Sequence, residues 1–363
     1  MATPLFSPFT LGAIILNNRV VMAPMTRNRA TAAHDVTPIM ATYYAQRASA
    51  GLIITEGIAP SANGNGYARV PGLYTPAQVE GWKAVTAAVH EKGGKIFAQL
   101  MHTGRVSHPA HMEAGAEVVA PSAIAAAGQI YTDEQGMLDH PIPRAMTKAD
   151  IDQTIQEFVT AANNAISAGF DGVEIHGANG YLVEQFLRPT TNQRTDEYGG
   201  STENYARFAV EVATAVSNAI GIDKVGIRLS PYGVFNDTPY SPDYDVIALH
   251  VAEKLNGVVT YVHLVNHESM GAPAVADSIV DGIRNTYKGT LILSGGYDLT
   301  RAEATLQAGK AELIAFGRPF IANPDLVERM EAGANLTQPD FSTFYTPGEK
   351  GYTDYSSLAA ATV

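Results

Sequence analysis

The chain has no cysteine in 363 residues, which excludes disulfides, thiolate zinc or iron–sulfur ligation, and a cysteine nucleophile. Positive charge is scarce: 24 Lys and Arg stand against 36 Asp and Glu, a formal net charge of -12. A surface of that sign repels phosphate backbones and anionic lipid, so neither nucleic acid nor membrane is an expected partner. No stretch approaches the roughly 20 apolar residues of a membrane span, and no basic segment precedes the apolar N-terminal residues. A cytoplasmic protein is the expectation. No Gly/Ser linker or compositional shift divides the chain, no GxGxxG follows its first strand, and no lysine ends a strand where a Schiff base could form.

What is present is a regular alternation. Short strand-like runs at 20–25, 52–57, 95–101, 172–175, 225–230, 261–265, 291–296 and 313–319 are separated by stretches of helical spacing. Thr75-Pro76-Ala77-Gln78 and Thr147-Lys148-Ala149-Asp150 read as helix starts. Eight such units predict an α/β fold, a single (β/α)8 TIM barrel over 1–363. A hairpin within 5–16 is expected to lid its bottom. Residues 102–145, after the third strand, carry prolines at 109, 121, 141 and 143 without sustained period, and read as a capping insertion. An open doubly wound sheet is the alternative, opposed by the missing dinucleotide fingerprint. His108 and His111 lie in the insertion without nearby carboxylates, so loop packing rather than a metal is expected there.

The chemistry concentrates in DGVEIHGANGYLVEQFLRP, from Asp171 to Pro189. The strand 172–175 ends at His176, and Asn179 and Tyr181 follow within the same turn. Ligands bind at the C-terminal edge of such strands. Two donors, His176 and Asn179, can polarise one carbonyl or nitro oxygen, and Tyr181 can protonate a carbanion-like centre beside it. Each alone has an ordinary structural reading as core histidine, turn residue or helix start. Together at one strand end they read as a site.

A second group, Ser294-Gly295-Gly296 with Gly317-Arg318, offers backbone N–H groups and a guanidinium to a phosphate. Thr26 and Gln99 point to the same mouth. Arg228, in an apolar strand, needs either an anionic ligand or a salt bridge to Glu174 or Glu56.

In their order along the chain, APMTR (23–27), YYAQRA (43–48), TEG (55–57), AQL (98–100), HTGR (102–105), HGANGYLVEQFL (176–187), RTDEYGGS (194–201), RLSP (228–231), FGRPFIANPDL (316–326) and GYTDY (351–355) resemble the old yellow enzyme family of FMN-dependent ene-reductases. The resemblance is greatest to the bacterial N-ethylmaleimide reductase branch. It implies tightly bound, non-covalent FMN, reduced by NADPH, with NADH also possible. It also implies hydride transfer from flavin N5 to the β-carbon of an activated alkene (an α,β-unsaturated carbonyl, maleimide or nitro compound), followed by protonation of the α-carbon by Tyr181. On that resemblance Pro24, Met25, Thr26 and Gly57 line the isoalloxazine, and Gln99 and Arg228 meet its pyrimidine edge. Ser294, Gly295, Gly296, Gly317 and Arg318 hold the phosphate. His176, Asn179, Tyr181, Tyr67, Met101, Phe344 and Tyr345 meet the substrate. The protein is expected to act on small molecules as a monomer or homodimer.

Two competing readings are a non-redox barrel lyase or isomerase acting on a phosphorylated metabolite, and a flavin-storing protein without turnover. Within the family pattern, Thr26 stands where another branch carries cysteine, and Met101 where tryptophan is common. Methionine is narrower and more flexible than indole, so a roomier pocket is expected. Met101→Trp is expected to narrow acceptance of bulky β-substituted alkenes, read from relative rates and enantiomer ratios across an alkene series; unchanged ratios would refute it.

Overall fold

The computed structural model describes residues 3–358; residues 1–2 and 359–363 of the barrel expectation lie outside the described residues. The chain opens with the antiparallel hairpin β1 (Phe9–Leu11) and β2 (Ile14–Leu16). It then enters β3 (Val20–Met22), β4 (Leu52–Ile58) and β5 (Ile96–Leu100). The segment after β5 holds β6 (Val119–Ala120), the β7 (Gln129–Thr132) and β8 (Gly136–Asp139) hairpin, and β9 (Arg144–Ala145). The series ends with β10 (Gly172–Gly177), β11 (Val225–Leu229), β12 (Tyr261–Val265), β13 (Thr290–Ser294) and β14 (Leu313–Phe316).

Strands β3, β4, β5 and β10 to β14 pair in parallel, each with its neighbour in sequence, and β14 returns to β3 to close the barrel. Around it run α1 (Pro38–Ala45), α2 (Pro76–Glu91), α3 (Lys148–Ser167), α4 (Leu182–Leu187), α5 (Thr202–Ile220), α6 (Asp243–Lys254), α7 (Asp277–Thr286) and α8 (Leu299–Gln307). Two short helices follow the last strand, α9 (Arg318–Ala322) and α10 (Leu326–Glu331).

Local sequence explains the boundaries. Thr75 and Thr147 each close a capping box with the residue three further on, Gln78 and Asp150, which satisfies N–H groups the first helical turn leaves free. Helix α3 buries Ile151, Ile155, Phe158, Ala161 and Ala162, the apolar stripe its spacing predicts. Leu11 and Leu16 of the hairpin join Val21, Leu52, Phe97, Tyr261, Ile292 and Leu313 in one buried cluster, so the hairpin plugs the N-terminal end of the barrel as expected.

Three expectations need correction. The last strand ends at Phe316, and Gly317-Arg318-Pro319 begins a helix, because proline fits a first helical turn and cannot extend a ladder. Likewise β3 stops at Met22, and of the residues after it only the Ala23 N–H reaches across, 2.9 Å from the Phe316 carbonyl. The stretch 102–145, read as unpatterned, holds four short strands.

The segment after α10 is tied to the barrel by arginines. Arg27 donates to the Phe344 and Gly351 carbonyls at 3.1 and 2.7 Å, and Arg29 donates to those of Thr343 and Phe344 at 2.9 and 2.8 Å. Arg47 lies 3.7 Å over the Tyr43 ring, which stacks on buried Tyr352 at 4.0 Å. Among these cations sits Glu56, 1% exposed, accepting from the Arg27 N–H at 3.3 Å and the Tyr44 hydroxyl at 3.2 Å.

Burial outweighs those hydrogen bonds and pushes the Glu56 carboxyl up to about 7. A carboxyl raised above its unfolded value binds more protons when folded, so stability falls as pH rises through the window from the ordinary carboxylate range to about 7. Glu56→Gln removes that titration. Thermal melts of the variant and wild type should therefore diverge in favour of the variant from pH 5 to pH 8, by up to roughly 3 kcal/mol. A constant difference across that range would show that Glu56 ionises without cost.

Candidate active site

The C-terminal ends of the barrel strands form the mouth, and parity along each strand decides what faces it. On β10, Glu174 and His176 are two residues apart and share the inward face. His176 pairs in register with Arg228 on β11, and Glu174 with Gln99 on β5. All four are buried, between 0% and 6% exposed.

The turn after β10 is held from below. Asn179 takes a left-handed conformation at φ 61°, and Gly180 follows at φ 76°. The Asn179 N–H donates to Ser230 Oγ at 2.9 Å, the Gly180 N–H to Glu184 Oε2 at 2.6 Å, and Asn236 Nδ2 to the Asn179 carbonyl at 2.7 Å. Glu184 in turn pairs with Arg188 at 2.7 Å and accepts from the Ser230 hydroxyl at 2.8 Å. With the backbone spoken for, the Asn179 side chain is free: its Oδ1 is buried without a partner.

His176 accepts from the Ala178 N–H through Nδ1 at 3.3 Å, which leaves the proton on Nε2. Burial, followed by the Arg228 charge, holds the ring well below the ordinary histidine range, so it is a neutral donor. Its ring meets that of Tyr181 edge-on, centroids 5.0 Å apart. The Tyr181 and Tyr67 hydroxyls are 3.1 Å apart and share one hydrogen bond, so one proton of the pair remains to donate elsewhere. Burial raises both phenols above their ordinary range, which keeps them protonated at neutral pH.

Arg228 makes no ion pair with Glu174 or Glu56. The Glu174 oxygens are taken by Gln99, Tyr261 and His263, and those of Glu56 by Tyr44 and the Arg27 N–H. Arg228 Nε is buried without a partner.

Pro24, Met25 and Thr26 lie half-buried after β3, outside any helix or strand. Gly57 lies in β4 where the register with β5 shifts, and a Cβ there would come 2.4 Å from Met101 Sδ. Buried Met101 therefore fills the space a side chain at 57 would need. Phe344 stands 5.7 Å from the Arg27 guanidinium, while the Tyr345 side chain is exposed and its carbonyl accepts from Arg69 at 3.2 Å.

FMN, which the resemblance implies, can be tested against these residues. Gly295 at φ 111° and Gly296 at φ 67° make a turn that side chains disfavour, and a Cβ at 295 would come 1.9 Å from the Asn266 carbonyl. Arg318 is exposed and, among the described residues, pairs with no carboxylate; Phe341 lies 5.7 Å away. A glycine turn, a free guanidinium and an unpartnered buried Arg228 suit a group with a phosphate at one end and an anion-forming ring at the other. The donor set fits FMN.

Sequence reasoning missed Arg301, whose Nη1 donates to the Gly295 and Gly296 carbonyls at 3.4 and 3.3 Å. Its seat in the first turn of α8 was the available signal. Also missed were Glu184, Ser230 and Asn236 under the 177–181 turn. The Glu184 and Arg188 spacing of four on a helix was their one legible sign. Among the described residues no cluster of His, Asp and Glu suits a metal; buried His111 uses its carbonyl to accept from His34 Nε2 at 3.0 Å.

A family model, NADH:flavin oxidoreductase / NADH oxidase family, matches residues 4–337. A probable flavin mononucleotide-dependent alkene reductase of Leishmania infantum is 41% identical over 97% of this chain and 96% of that protein. The 12-oxophytodienoate reductase 7 of Oryza sativa subsp. japonica is 41% identical over 98% and 95%. Among solved structures, morphinone reductase superposes with a TM-score of 0.95 at 43% identity, covering 99% of this chain and 98% of that one. The old yellow enzyme homologue from Zymomonas mobilis gives 0.93 at 41% identity over 97% and 99%. The barrel, the unpaired donors at its mouth and these matches agree: the chain belongs to the NADH:flavin oxidoreductase / NADH oxidase family, the old yellow enzymes, and is an FMN-dependent alkene reductase.

Proposed function

We propose that the chain is an NAD(P)H-dependent ene-reductase for small α,β-unsaturated carbonyl, maleimide and nitro compounds, of the N-ethylmaleimide reductase type. The observation that carries this is the pairing of a neutral, unshared His176 Nε2 donor with a protonated Tyr181 on one rigid turn. When bound, FMN supplies the two reducing electrons, drawn from a nicotinamide. The residues do the rest.

His176 Nε2 and the Asn179 carboxamide bind the activating oxygen and stabilise the negative charge that grows there, each donor contributing on the order of 3 kcal/mol in the transition state. Tyr181 delivers its proton to the α-carbon, with Tyr67 fixing its hydroxyl at 3.1 Å. Met101, Phe344 and Tyr345 border the substrate. Gln99 and Arg228 take the pyrimidine edge of the flavin. Pro24, Met25, Thr26 and Gly57 meet its ring system. Ser294, Gly295, Gly296, Gly317 and Arg318 hold its phosphate. Residues 102–145 serve as the cap of a single-domain cytoplasmic enzyme, working as a monomer or homodimer.

NADPH is the reductant, with NADH accepted as well. The solved complex of morphinone reductase with tetrahydroNAD, at 43% identity, supports a nicotinamide entering the same mouth.

The decisive experiment is a visible spectrum of the purified protein, followed anaerobically by NADPH and then 2-cyclohexenone. Yellow protein that bleaches and then recolours is expected, and Tyr181→Phe should bleach normally but recolour at least tenfold more slowly. Protein that stays colourless after FMN is supplied would return the phosphorylated-metabolite reading, and one that bleaches without recolouring would remove the alkene as acceptor. Because burial keeps His176 neutral, KM for 2-cyclohexenone should show no step between about pH 5 and 8. His176→Ala should raise KM across that whole range; a step present in wild type and absent in the variant would mean the imidazole titrates.

A further inference from the structure

One buried acid in the barrel has no part in the chemistry above. Glu174 is 0% exposed, yet it faces the interior one layer below His176. Its Oε1 accepts from Gln99 Nε2 at 2.8 Å, and its Oε2 from the Tyr261 hydroxyl at 3.2 Å and His263 Nδ1 at 2.9 Å. His263 Nε2 is in turn 2.9 Å from Ser294 Oγ, whose hydroxyl also lies 3.2 Å from the Leu264 carbonyl. Every contact to the acid comes from a donor, the pattern an ionised carboxylate takes. Burial holds the fully enclosed His263 below its ordinary range, so the ring carries one proton, and that proton sits on Nδ1, facing the carboxylate.

One carboxylate thus gathers side chains from β5 and β12 and, through His263, from β13. Two ends of this network, Gln99 and Ser294, are residues assigned above to the flavin. The network also sets polarity. With one of the two Gln99 Nε2 hydrogens held by Glu174, the amide end of the carboxamide is fixed toward the carboxylate and its oxygen stays open as an acceptor. Arg228, on the adjacent strand β11, has its Nε unsatisfied and makes no ion pair that would neutralise Glu174.

We propose that Glu174 is a positioning residue of the cofactor site. Its carboxylate orients Gln99 as an acceptor for the imide N–H of the flavin, and its buried charge beneath the pyrimidine edge opposes the negative charge of the reduced ring. Glu174 thereby lowers the reduction potential against the pull of Arg228. The inference rests on FMN occupying this mouth with its pyrimidine edge at Gln99 and Arg228.

The test is equilibrium binding of FMN to apoprotein by fluorescence quenching, with the midpoint potential by dye-equilibrated reduction, on wild type, Glu174→Gln, Glu174→Asp and Tyr261→Phe. Glu174→Gln should favour reduced over oxidised FMN at least tenfold more than wild type, an upward shift of about 30 mV for a two-electron couple. Glu174→Asp keeps the charge and should stay nearer the wild-type potential while binding FMN more weakly. Tyr261→Phe strips one hydrogen bond from the carboxylate and should move the potential the other way. Wild-type potentials in Glu174→Gln and Tyr261→Phe would overturn the proposal, and if Glu174→Gln fails to fold, an unmoved potential in Tyr261→Phe does so alone. A wild-type protein that binds no FMN would instead overturn the cofactor reading beneath it.

Discussion

The structure depends on how a closed parallel barrel fills its own interior. Eight strands leave room for a few layers of side chains, and alternation along each strand fixes which residues enter them. The lowest layer is apolar and is stoppered by Leu11 and Leu16. Above it lies a polar layer of Gln99, Glu174, His263 and Ser294, linked in a row by hydrogen bonds of 2.8 and 2.9 Å. Such a layer is tolerable only when its members satisfy one another, since each unpaired group would cost a few kcal/mol. The next layer up breaks that rule: His176, Arg228 and Asn179 keep donors or acceptors with no partner among the described residues. The polar layer is the floor that lets those groups stand at fixed angles.

A second constraint comes from the C-terminal segment. Arg27 and Arg29 bind the backbone carbonyls of Thr343, Phe344 and Gly351, and Arg69 that of Tyr345, which fixes the path of the chain through Phe344 and Tyr345. Backbone carbonyls have no competing conformers and no titration, so the clamp is set by chain path rather than by side-chain identity. Tyr352, fully buried against Tyr43, supplies the apolar half of the anchor. Three guanidinium groups so close repel, and burial beside Arg27 pushes Arg29 down to about 10. Glu56 lies among them as the nearby acid. The anchoring of the C-terminal segment and the protonation of one carboxyl are therefore linked.

Much of the barrel is legible in the sequence because period and punctuation agree. Capping boxes at Thr75 and Thr147 start helices at the residues their motifs specify, and β12 runs over the expected residues. The reading fails where one residue has two grammars. Arg318-Pro319 continues an apolar run, yet proline starts a helical turn, and the run breaks at Gly317. The hairpin of β7 and β8 escaped notice because four-residue strands around a turn carry too little alternation to separate from loop. At the candidate site, the grouping of His176, Asn179 and Tyr181 on one turn was legible from residue type together with its place at a strand end. Its supports were not, since Ser230 and Asn236 come from another loop and only three-dimensional proximity links them to Asn179. Glu174 was visible only as a possible partner for Arg228, the one contact it does not make.

Unsatisfied polar atoms by themselves do not mark a site. Asn65, Ser61 and His102 also bury side-chain atoms without partners, on the loop after β4 and just beyond β5. What separates the mouth is direction and charge. His176 and Arg228 are register partners on adjacent strands, so their free groups leave the sheet on the same side, at the same height, beside Tyr181. One is a neutral donor and the other a fixed cation. Placed side by side they can serve two different acceptors, a neutral substrate oxygen that gains charge during reaction and a ring that gains charge on reduction. A protonated histidine at 176 would blur that division, because two cations would then compete for either anion. Burial of the imidazole beside Arg228 holds its pKa down, and under the function proposed above this suppression of a second positive charge would keep the substrate oxygen and the reduced ring on separate partners.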